Sequence, residues 1–202
     1  SNGNGSSQHD HRSRGSKYVF ANVAKLFRKV IPQLRGNLNT KYNLNEINEH
    51  IMKICIYGAG AIGAYIGAEL SRVPNLEVSL IARGPHLAAM QKKGVKLLIN
   101  GEERITHPVA TDNAAELGPQ DYVIIALKSH QAWEVAEDMT PLLGADTTVV
   151  TFQNGIPWWY FYGLDNQYRD LRLISVDPGD RQWNSIGPER AIGCVVYPAT
   201  EI

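Results

Sequence analysis

Three glycines shortly after Met52 have the spacing of a loop that binds phosphate groups. They lie in Gly58-Ala59-Gly60-Ala61-Ile62-Gly63, directly after the apolar run Lys53–Tyr57 and at the start of the small-residue segment Ala61–Leu70. The run is typical of a buried parallel strand, and the segment after it is typical of a helix. In such a turn the first glycine permits the bend, the second lets the backbone approach a pyrophosphate, and the third lets the helix lie close to the sheet. This context predicts a dinucleotide site, with a purely structural glycine turn as the alternative.

The end of the next predicted strand, Glu77–Ala82, indicates which dinucleotide would bind. A site for NAD has an acidic residue near this point, which accepts a hydrogen bond from the ribose 2′-hydroxyl. This chain instead has Arg83 followed by Gly84. A guanidinium is planar and permanently charged, and it suits a 2′-phosphate. We therefore expect NADP(H), the alternative being that Arg83 is a solvated surface side chain.

Two more polar residues follow predicted strands and are expected at the same crevice. Lys128 comes after the apolar strand Asp121–Leu127, and Asn154 comes after the strand Thr147–Phe152. In open α/β sheets, ligands bind outside the carboxyl ends of the strands. A lysine there offers charge to a phosphate or carboxylate, and an asparagine both donates and accepts hydrogen bonds. Each residue alone could equally be a solvated strand end, but together with the glycine loop they form a candidate site.

These residues require a scaffold of alternating strands and helices, and the sequence from Met52 onward has that pattern. Such alternation predicts an α/β fold with a doubly wound, mostly parallel, Rossmann-type sheet and right-handed crossovers. Asn100-Gly101 is a signal of a β-hairpin. The other predicted elements are helices over about Pro85–Lys93 and His130–Met139, the second ended by Pro141, hairpin strands Lys96–Asn100 and Arg104–Val109, and late strands Leu171–Val176 and Ala191–Tyr197.

Composition excludes several classes of protein. The chain has 202 residues, with 20 Lys and Arg against 20 Asp and Glu, and 44% of the residues are hydrophobic. These residues suffice for a core, no apolar run is long enough to cross a bilayer, and the zero net charge argues against a nucleic-acid-binding protein. The only cysteines are Cys55 and Cys194, so a disulfide scaffold and a zinc ribbon are excluded. No metal site is expected, and a reducing, cytoplasmic location is favoured.

Residues 1–51 differ from the rest of the chain and are kept out of the fold prediction. Ser1–Ser16 contains no apolar residue, so we expect it to be disordered. The basic segment Val19–Ile31 has the pattern of a short amphipathic helix. The whole stretch could be added or upstream-translated sequence that is not native, or a targeting or membrane-surface segment. The first interpretation is favoured because Met52 opens a stretch typical of a protein's own start, so the domain is expected to span 52–202.

The motifs together resemble the 2-dehydropantoate 2-reductase (ketopantoate reductase) family. The resemblance rests on Met52–Gly63, on Ile81-Ala82-Arg83-Gly84, on Lys128 after a buried strand, and on Gln153-Asn154-Gly155 before a short aromatic helix. It covers Met52–Ile202, which corresponds to the family's N-terminal NADP-binding domain. The resemblance implies an NADPH-dependent reduction of 2-dehydropantoate, a small 2-oxo acid, to pantoate in pantothenate biosynthesis.

The resemblance also implies roles for individual residues. Arg83 would meet the adenosine 2′-phosphate, Lys128 would lie near the cofactor, and Asn154 would contact both the nicotinamide and the substrate. Ala199 would be the last cofactor contact of this domain, although the strand before it lacks the threonines typical of the family. The residues expected to hold the pyrophosphate are Gly58, Ala59, Gly60, Ala61, Ile62 and Gly63.

The largest departure from the family is at the end of the chain. The family's catalytic lysine acts as a general acid from an all-helical C-terminal domain, whereas this chain stops at Ile202. No catalytic residue is therefore assigned, and the chain alone is expected to be inactive. The histidines His86, His107 and His130 are expected to be solvated or to lie at helix ends. Cys55 is expected to be buried and inert. The alternatives are the NADP-binding domain of a related oxo-acid dehydrogenase and a non-catalytic NADP(H)-binding module.

Five consecutive aromatic residues, Trp158–Tyr162, follow the predicted site. One short helix cannot bury all five, since neighbouring side chains on a helix point in different directions. Two or three are expected in the core, and the rest are expected to form an exposed apolar patch of the kind that marks an interface. By the resemblance, the absent helical domain would dock there. Stacking on nucleic acid is the remote alternative.

Overall fold

The computed structural model describes residues 51–99, 101–197 and 200–201. The predicted leader, except for Ile51, and the cofactor contact expected at Ala199 lie outside the described residues. In the described part of the chain, no helix combines the length and the apolar character needed to cross a membrane.

The first half of the domain alternates strands and helices as the sequence pattern predicts. Its elements are β1 Met52–Tyr57, α1 Ala61–Leu70, β2 Leu76–Ile81, α2 Gly84–Lys93, β3 Val95–Ile99, β4 Glu102–Thr106 and β5 Val109–Thr111. The inner residues of β1 and β2 are buried in continuous runs, as expected of parallel strands that are covered on both faces.

The second half has similar strands but shorter helical segments between them. Its elements are a 3-10 helix at Ala114–Glu116, β6 Gln120–Ile125, α3 Ser129–Ala132, 3-10 helices at Trp133–Val135 and Glu137–Leu142, β7 Leu143–Phe152, a 3-10 turn at Pro178–Asp180, α4 Arg181–Ser185, a 3-10 turn at Pro188–Arg190, and β8 Ala191–Cys194. The single helix expected over His130–Met139 is wrong, because α3 gives way to 3-10 turns after one turn. Pro141 lies inside the last of these turns, where its missing N–H prevents a regular α-helix.

Six strands form one sheet in the order β5-β2-β1-β6-β7-β8, and every neighbouring pair is parallel. The first described strand, β1, lies at the centre; the sheet extends outward through β2 and β5, and β6, β7 and β8 are added on the other side. The strand order therefore reverses between β1 and β6, which is where open α/β sheets bind ligands beyond the carboxyl ends. The predicted α/β class with a mostly parallel, Rossmann-type sheet is confirmed.

The core lies on the central strands and under α1. Ile56 in β1 and Ile124 in β6 have no exposed surface. Gly67 of α1 faces Leu80 of β2 so closely that a Cβ on the glycine would collide with the leucine side chain. A glycine at this point therefore lets the helix lie directly against the sheet.

The β3–β4 hairpin forms a separate two-stranded sheet. Its strands pair antiparallel with Val95 opposite Thr106 and Ile99 opposite Glu102, so the hairpin that the sequence predicts here is confirmed. Gly101 has a φ of 82°, a conformation that glycine adopts without steric cost.

The connection between β7 and β8, residues 153–190, differs most from the sequence prediction. The aromatic run Trp158–Tyr162 forms consecutive turns rather than a helix. The strand expected over Leu171–Val176 is wrong, because this stretch is irregular and mostly exposed. A strand needs neighbouring backbone groups for its hydrogen bonds, and the place beside β7 is occupied by β8. The late strand expected over Ala191–Tyr197 is confirmed in its first part, Ala191–Cys194.

Aromatic contacts hold this β7–β8 connection together. Trp158 is buried, and its ring lies edge-on to Trp183 with the centroids 6.1 Å apart. Trp183 also meets Tyr162 edge-on at 5.8 Å, and the guanidinium of Arg172 lies over its ring at 3.4 Å. Trp158, Trp159 and Phe161 are buried or half-buried, whereas Tyr160 and Tyr162 are exposed. The expectation that two or three of the five aromatic residues enter the core is therefore confirmed.

Two polar side chains, those of Asp177 and Arg190, also stabilise the β7–β8 connection through hydrogen bonds. The buried carboxylate of Asp177 accepts hydrogen bonds from the N–H groups of Gln182 and Trp183, at 2.9 and 3.0 Å, and so stabilises the start of α4. Arg190 donates to the carbonyl oxygens of Gly144 and Thr147, at 2.8 and 3.3 Å. This arginine ties the residue before β8 to the beginning of β7.

Candidate cofactor site

The glycine loop joins β1 to α1 at the carboxyl end of the sheet. The N–H groups of Gly58 and Ala59 both donate to the carbonyl oxygen of Ile81 at the end of β2, at 3.2 and 2.9 Å. Gly58 has a φ of 100°, which residues with a side chain rarely adopt. A Cβ on Gly63 would collide with the carbonyl oxygen of Gly58, so only glycine lets α1 begin this close to the loop. Backbone geometry therefore fixes the loop.

The first turn of α1 is open to an anion. The first N–H groups of a helix have no acceptor within the helix, and the helix dipole places partial positive charge there. Neither an acidic side chain nor a described side-chain cap occupies this turn. Apart from the adjoining backbone, no atom of the described residues lies within 4 Å of a Cβ placed on Gly60. Phosphate oxygens can approach the backbone closely here, so the loop fits the pyrophosphate of a dinucleotide.

Arg83 lies at the end of the neighbouring strand. It is exposed and immediately precedes α2, and the N–H of Ala82 before it donates to the carbonyl oxygen of Thr111 at 3.0 Å. Because β2 is paired with β1, Arg83 is close to the glycine loop. A guanidinium at this strand end suits an anionic group of a ligand that lies across it.

A cleft of about 220 Å³ brings these predicted residues together over the ends of β1, β2 and β6. It is lined by the first part of the glycine loop, Gly58–Gly60, and by Arg83, and we call it the phosphate cleft. Leu127, at the end of β6, forms another part of the lining. The N–H of Ala126 donates to the carbonyl oxygen of Tyr57 at 2.9 Å, which keeps the ends of β1 and β6 together.

Besides Tyr57, three polar side chains of the lining, His86, Asp112 and Asp138, were not predicted as part of the site. His86 lies at the start of α2, as expected of a helix-end histidine, but it is half-buried and its Nε2 is 2.7 Å from the carbonyl oxygen of Ala59. The sequence signal that could have marked His86 as a cleft residue is its position three residues, about one helical turn, after Arg83. Asp112 follows the short strand β5 and Asp138 lies in a 3-10 helix, so no motif marks either residue. The other two histidines in question, His107 and His130, are exposed as expected.

Lys128 and Asn154 follow adjacent parallel strands, as predicted, but neither lines the phosphate cleft. Lys128 is exposed and immediately precedes α3. The side chain of Asn154 donates to the carbonyl oxygen of Val196 and accepts from its N–H, both at 2.9 Å. Gln153 beside it donates to the carbonyl oxygen of Leu127 at 2.9 Å. The ends of β6 and β7 are thus linked to each other and to the chain after β8.

Burial changes the acidity of two groups on β1. It raises the pKa of Tyr57 to about 12, with the negative charge of Asp138 as a second cause. Burial also raises the pKa of the Cys55 thiol to about 12. This cysteine is buried, as predicted, and it is unreactive because the thiol keeps its proton at neutral pH. Within residues 51–99, 101–197 and 200–201, no group of three His, Cys, Asp or Glu side chains is placed to hold a metal ion.

Similarity to known proteins shows which family the chain belongs to. The family model described as ketopantoate reductase PanE/ApbA matches residues 54–157, which include Gly58–Gly63, Arg83, Lys128 and Asn154. A protein of Mesorhizobium japonicum named 2-dehydropantoate 2-reductase is 50% identical over 151 residues, which cover 75% of this chain and 46% of the relative. A protein of Pyrococcus horikoshii with the same name is 34% identical over 105 residues, which cover 52% of this chain and 34% of the relative.

Solved structures agree with this relationship. A Ralstonia solanacearum protein provisionally named a ketopantoate reductase matches with a TM-score of 0.68 and 39% identity, over 73% of this chain and 45% of its own. The 2-dehydropantoate 2-reductase of Porphyromonas gingivalis matches with a TM-score of 0.54 and 26% identity, over 72% and 46%. The chain spans half or less of the length of the curated relatives named above. By the family model and these relatives, the chain belongs to the ketopantoate reductase PanE/ApbA family.

Proposed function

We propose that this chain binds NADPH and forms the cofactor-binding half of an enzyme that reduces 2-dehydropantoate to pantoate, a step of pantothenate biosynthesis. The observation that carries the proposal is the phosphate cleft, where the glycine loop and Arg83 lie at the ends of paired strands. Membership of the family and the names of the curated relatives suggest the substrate.

The described residues suit both phosphate-bearing parts of the cofactor, the pyrophosphate and the 2′-phosphate. The pyrophosphate binds along Gly58–Gly63, where the N–H groups of the loop and of the first turn of α1 donate to it. Arg83 pairs with the 2′-phosphate through charged hydrogen bonds. When bound, NADPH supplies the hydride that the 2-oxo carbon accepts. The domain that performs this binding is proposed to span residues 52–202.

Asn154 and Lys128 are proposed to act at the nicotinamide end. A side-chain amide has two N–H groups and two lone pairs on its oxygen. The pairing of Asn154 with Val196 uses one of each, so one donor and one acceptor remain for the nicotinamide and the substrate. Lys128 is exposed beside it on the neighbouring strand end and can place its charge near the cofactor. Ala199 is proposed as the last cofactor contact of the domain.

The reduction also needs a proton donor, because negative charge develops on the carbonyl oxygen as hydride arrives. Tyr57 lines the phosphate cleft, but its raised pKa makes it a poor acid at neutral pH. We place the donor in the part of the longer relatives that this chain does not match. That part is proposed to be a helical domain that docks on Trp158–Tyr162, where Tyr160 and Tyr162 are 53% and 44% exposed.

Calorimetric titration with NADPH and NADH tests the choice of cofactor. Arg83→Ala removes charged hydrogen bonds of about 1.5–3 kcal/mol, so NADPH is expected to bind about ten- to a hundredfold more weakly, with NADH unchanged. Lys93→Ala is the matched control. It removes one positive charge from the last turn of the helix that Arg83 precedes, and NADPH affinity is expected to stay the same.

A contribution of Asp112 to the binding of NADH would contradict this choice of cofactor. Asp112 is the acidic residue directly after β5, the strand paired with β2, and it lines the phosphate cleft. A carboxylate suits the ribose 2′-hydroxyl of NADH. If the unaltered chain binds NADH as tightly as NADPH, and Asp112→Asn weakens NADH alone, the proposal of NADPH fails.

Oxidation of NADPH, followed by its absorbance, tests the reaction. The 202-residue chain is expected to oxidise NADPH with 2-dehydropantoate at the background rate. A fusion to the second half of the Mesorhizobium relative is expected to turn over, and Asn154→Ala in the fusion is expected to lower kcat/KM about tenfold or more through lost orientation.

The other outcomes of this assay point to other functions. Turnover by the chain alone that Lys128→Ala abolishes would make Lys128 the acid. A fusion that reduces other 2-oxo acids but not 2-dehydropantoate is a related oxo-acid dehydrogenase. A fusion that binds NADPH and reduces no oxo acid makes the chain a non-catalytic binding module.

A further inference from the structure

One histidine links the two phosphate-binding parts of the phosphate cleft. His86, in the first turn of α2, has its Nε2 2.7 Å from the carbonyl oxygen of Ala59 in the glycine loop. A carbonyl oxygen only accepts hydrogen bonds, so Nε2 carries the hydrogen and donates it. This holds for the neutral ring and for the protonated ring, which differ at Nδ1. The contact also satisfies a polar backbone group of a residue that is only 3% exposed.

This hydrogen bond fixes the orientation of one peptide plane. The peptide bond between Ala59 and Gly60 is trans. In a planar trans peptide the C=O and N–H bonds point in opposite directions. Because His86 holds the carbonyl oxygen on its own side, the N–H of Gly60 points away from the histidine. The peptide before it is fixed separately, since the N–H of Ala59 donates to Ile81 at 2.9 Å.

The Ala59–Gly60 peptide has little else to restrain it at Gly60, whose own carbonyl oxygen accepts from the N–H of Ala64 at 2.8 Å and so holds only the next peptide. Gly60 has no side chain, and apart from the adjoining backbone no described atom lies within 4 Å of the place where its Cβ would be. Glycine is also less restricted in φ than any other residue. Without the contact from His86, the Ala59–Gly60 peptide can rotate, and the Gly60 N–H then spends less time in the orientation seen here.

We infer that His86 is a positioning residue that holds the Gly60 N–H toward the pyrophosphate of the bound dinucleotide. The inference rests on the proposed function, because it concerns the same cleft. It gives separate tasks to two residues in one helical turn. Arg83 recognises the 2′-phosphate and so separates NADPH from NADH, whereas His86 strengthens the binding of every ligand that carries a pyrophosphate.

Titration with four ligands tests this division. NADPH, NADH and ADP carry a pyrophosphate, whereas 2′-AMP carries only a phosphate at the position that Arg83 recognises. His86→Leu keeps the bulk of the side chain and removes the donor. It is expected to weaken NADPH, NADH and ADP by one common factor of about two- to tenfold, the range for one neutral hydrogen bond. Affinity for 2′-AMP and the ratio of NADPH to NADH affinity are expected to stay constant.

Two further variants separate positioning from general support of the fold. His86→Gln retains an N–H donor on a side chain of similar reach and is expected to restore most of the affinity. His107→Ala removes an exposed histidine outside the cleft lining and is expected to change nothing. Should His86→Leu not unfold cooperatively, His86→Ala takes its place, since it removes the same donor without adding apolar bulk.

Each contrary result has a distinct meaning. Weakening of 2′-AMP by the same factor shows that His86 supports the domain in general, and unchanged ADP and NADH affinity shows that its contact does not orient Gly60. Failure of His86→Gln to restore binding also overturns the inference. If the unaltered chain binds NADPH and only the effects of His86 are missing, the proposed function survives. If the unaltered chain binds none of the pyrophosphate ligands, both proposals fail.

Discussion

The phosphate cleft and the β7–β8 connection are built in contrasting ways. The cleft is set by the backbone: strand ends meet there, Ile81 accepts two loop N–H groups, and Gly63 occupies a place that no side chain fits. The connection has little regular structure, and side chains hold it, chiefly Trp183 with its aromatic neighbours and the buried carboxylate of Asp177.

Because they are built differently, the two regions tolerate substitutions differently. In the cleft, geometry and ligand binding share the same backbone atoms, so a substitution at a glycine whose place no side chain fits alters both stability and affinity. In the connection, a substitution alters the stability of the fold while leaving the cleft in place. The two regions can therefore be tested against each other by measuring unfolding and NADPH binding on the same variants.

The largest effect is expected from Gly63→Ala. Its Cβ would collide with the carbonyl oxygen of Gly58 and would lie 3.2 Å from the Cβ of Ala126, and the backbone cannot move aside without opening the loop. We expect a loss of about 3 kcal/mol in the free energy of unfolding and no measurable NADPH binding, from urea denaturation and titration.

Gly60→Ala is the matched variant in the same loop. Gly60 has a φ of −70° and a ψ of −168°, which alanine adopts, and no described atom obstructs the methyl group. Unfolding is expected to change by less than about 0.5 kcal/mol, while NADPH binds more weakly because the methyl group lies where the pyrophosphate approaches. A Gly63→Ala chain as stable as the unaltered one would contradict the backbone account of the cleft.

A smaller effect is expected from Asp177→Ala in the β7–β8 connection. The substitution leaves the N–H groups of Gln182 and Trp183 without their charged acceptor, and a loss of about 2 kcal/mol in unfolding free energy follows. The NADPH dissociation constant is expected to be unchanged. Asp165→Ala, which removes an exposed carboxylate from the same connection, serves as the control for charge. Weaker NADPH binding in Asp177→Ala would show that the connection and the cleft are coupled.

The smallest effect concerns pH and the two cysteines. The Cys55 thiol has an ordinary pKa of 9.0 when unfolded and about 12 when folded, so between these values the unfolded chain has lost a proton that the folded chain retains. The contribution of Cys55 to stability is therefore complete below pH 9, and between pH 9 and about 12 it falls by about 1.4 kcal/mol for each pH unit. Measured from pH 8 to 10, Cys55→Ala is expected to flatten this slope. Cys194→Ala is expected to flatten it less, because Cys194 is only half-buried.

The elements predicted correctly from the sequence are those set by local backbone conformation. The strand, glycine loop and helix from Met52 to Leu70, and the hairpin turn at Gly101, were all placed correctly, because each has a local chemical signature. The strand expected over Leu171–Val176 failed because its apolar residues carry no information on which strand lies beside β7. That place belongs to β8, and only the assembled sheet reveals it.

The residues of the candidate site also divide into those that a local motif predicted and those that only the tertiary structure brings there. Gly58–Gly60 and Arg83 were predicted and lie together in the phosphate cleft. Asp112 was not predicted, because β5 spans only three residues and its position next to β2 is a tertiary feature. His86 was expected only to be solvated or to lie at a helix end, since a sequence does not show which carbonyl oxygen a ring will meet. Roles for Lys128 and Asn154 remain predictions.

The parallel pairing of β7 with β8 also shapes how the chain assembles as it leaves the ribosome. Strands β1, β2, β6 and β7 are synthesised first, whereas Ala191 reaches Val149 only after residues 153–190 have closed a long loop. Until then β7 is the outermost strand, with the backbone groups of Val149–Phe152 unpaired on one side. An unprotected edge of this kind pairs readily with another chain. The late arrival of β8 therefore leaves that edge open to misassembly while the rest of the chain is being made.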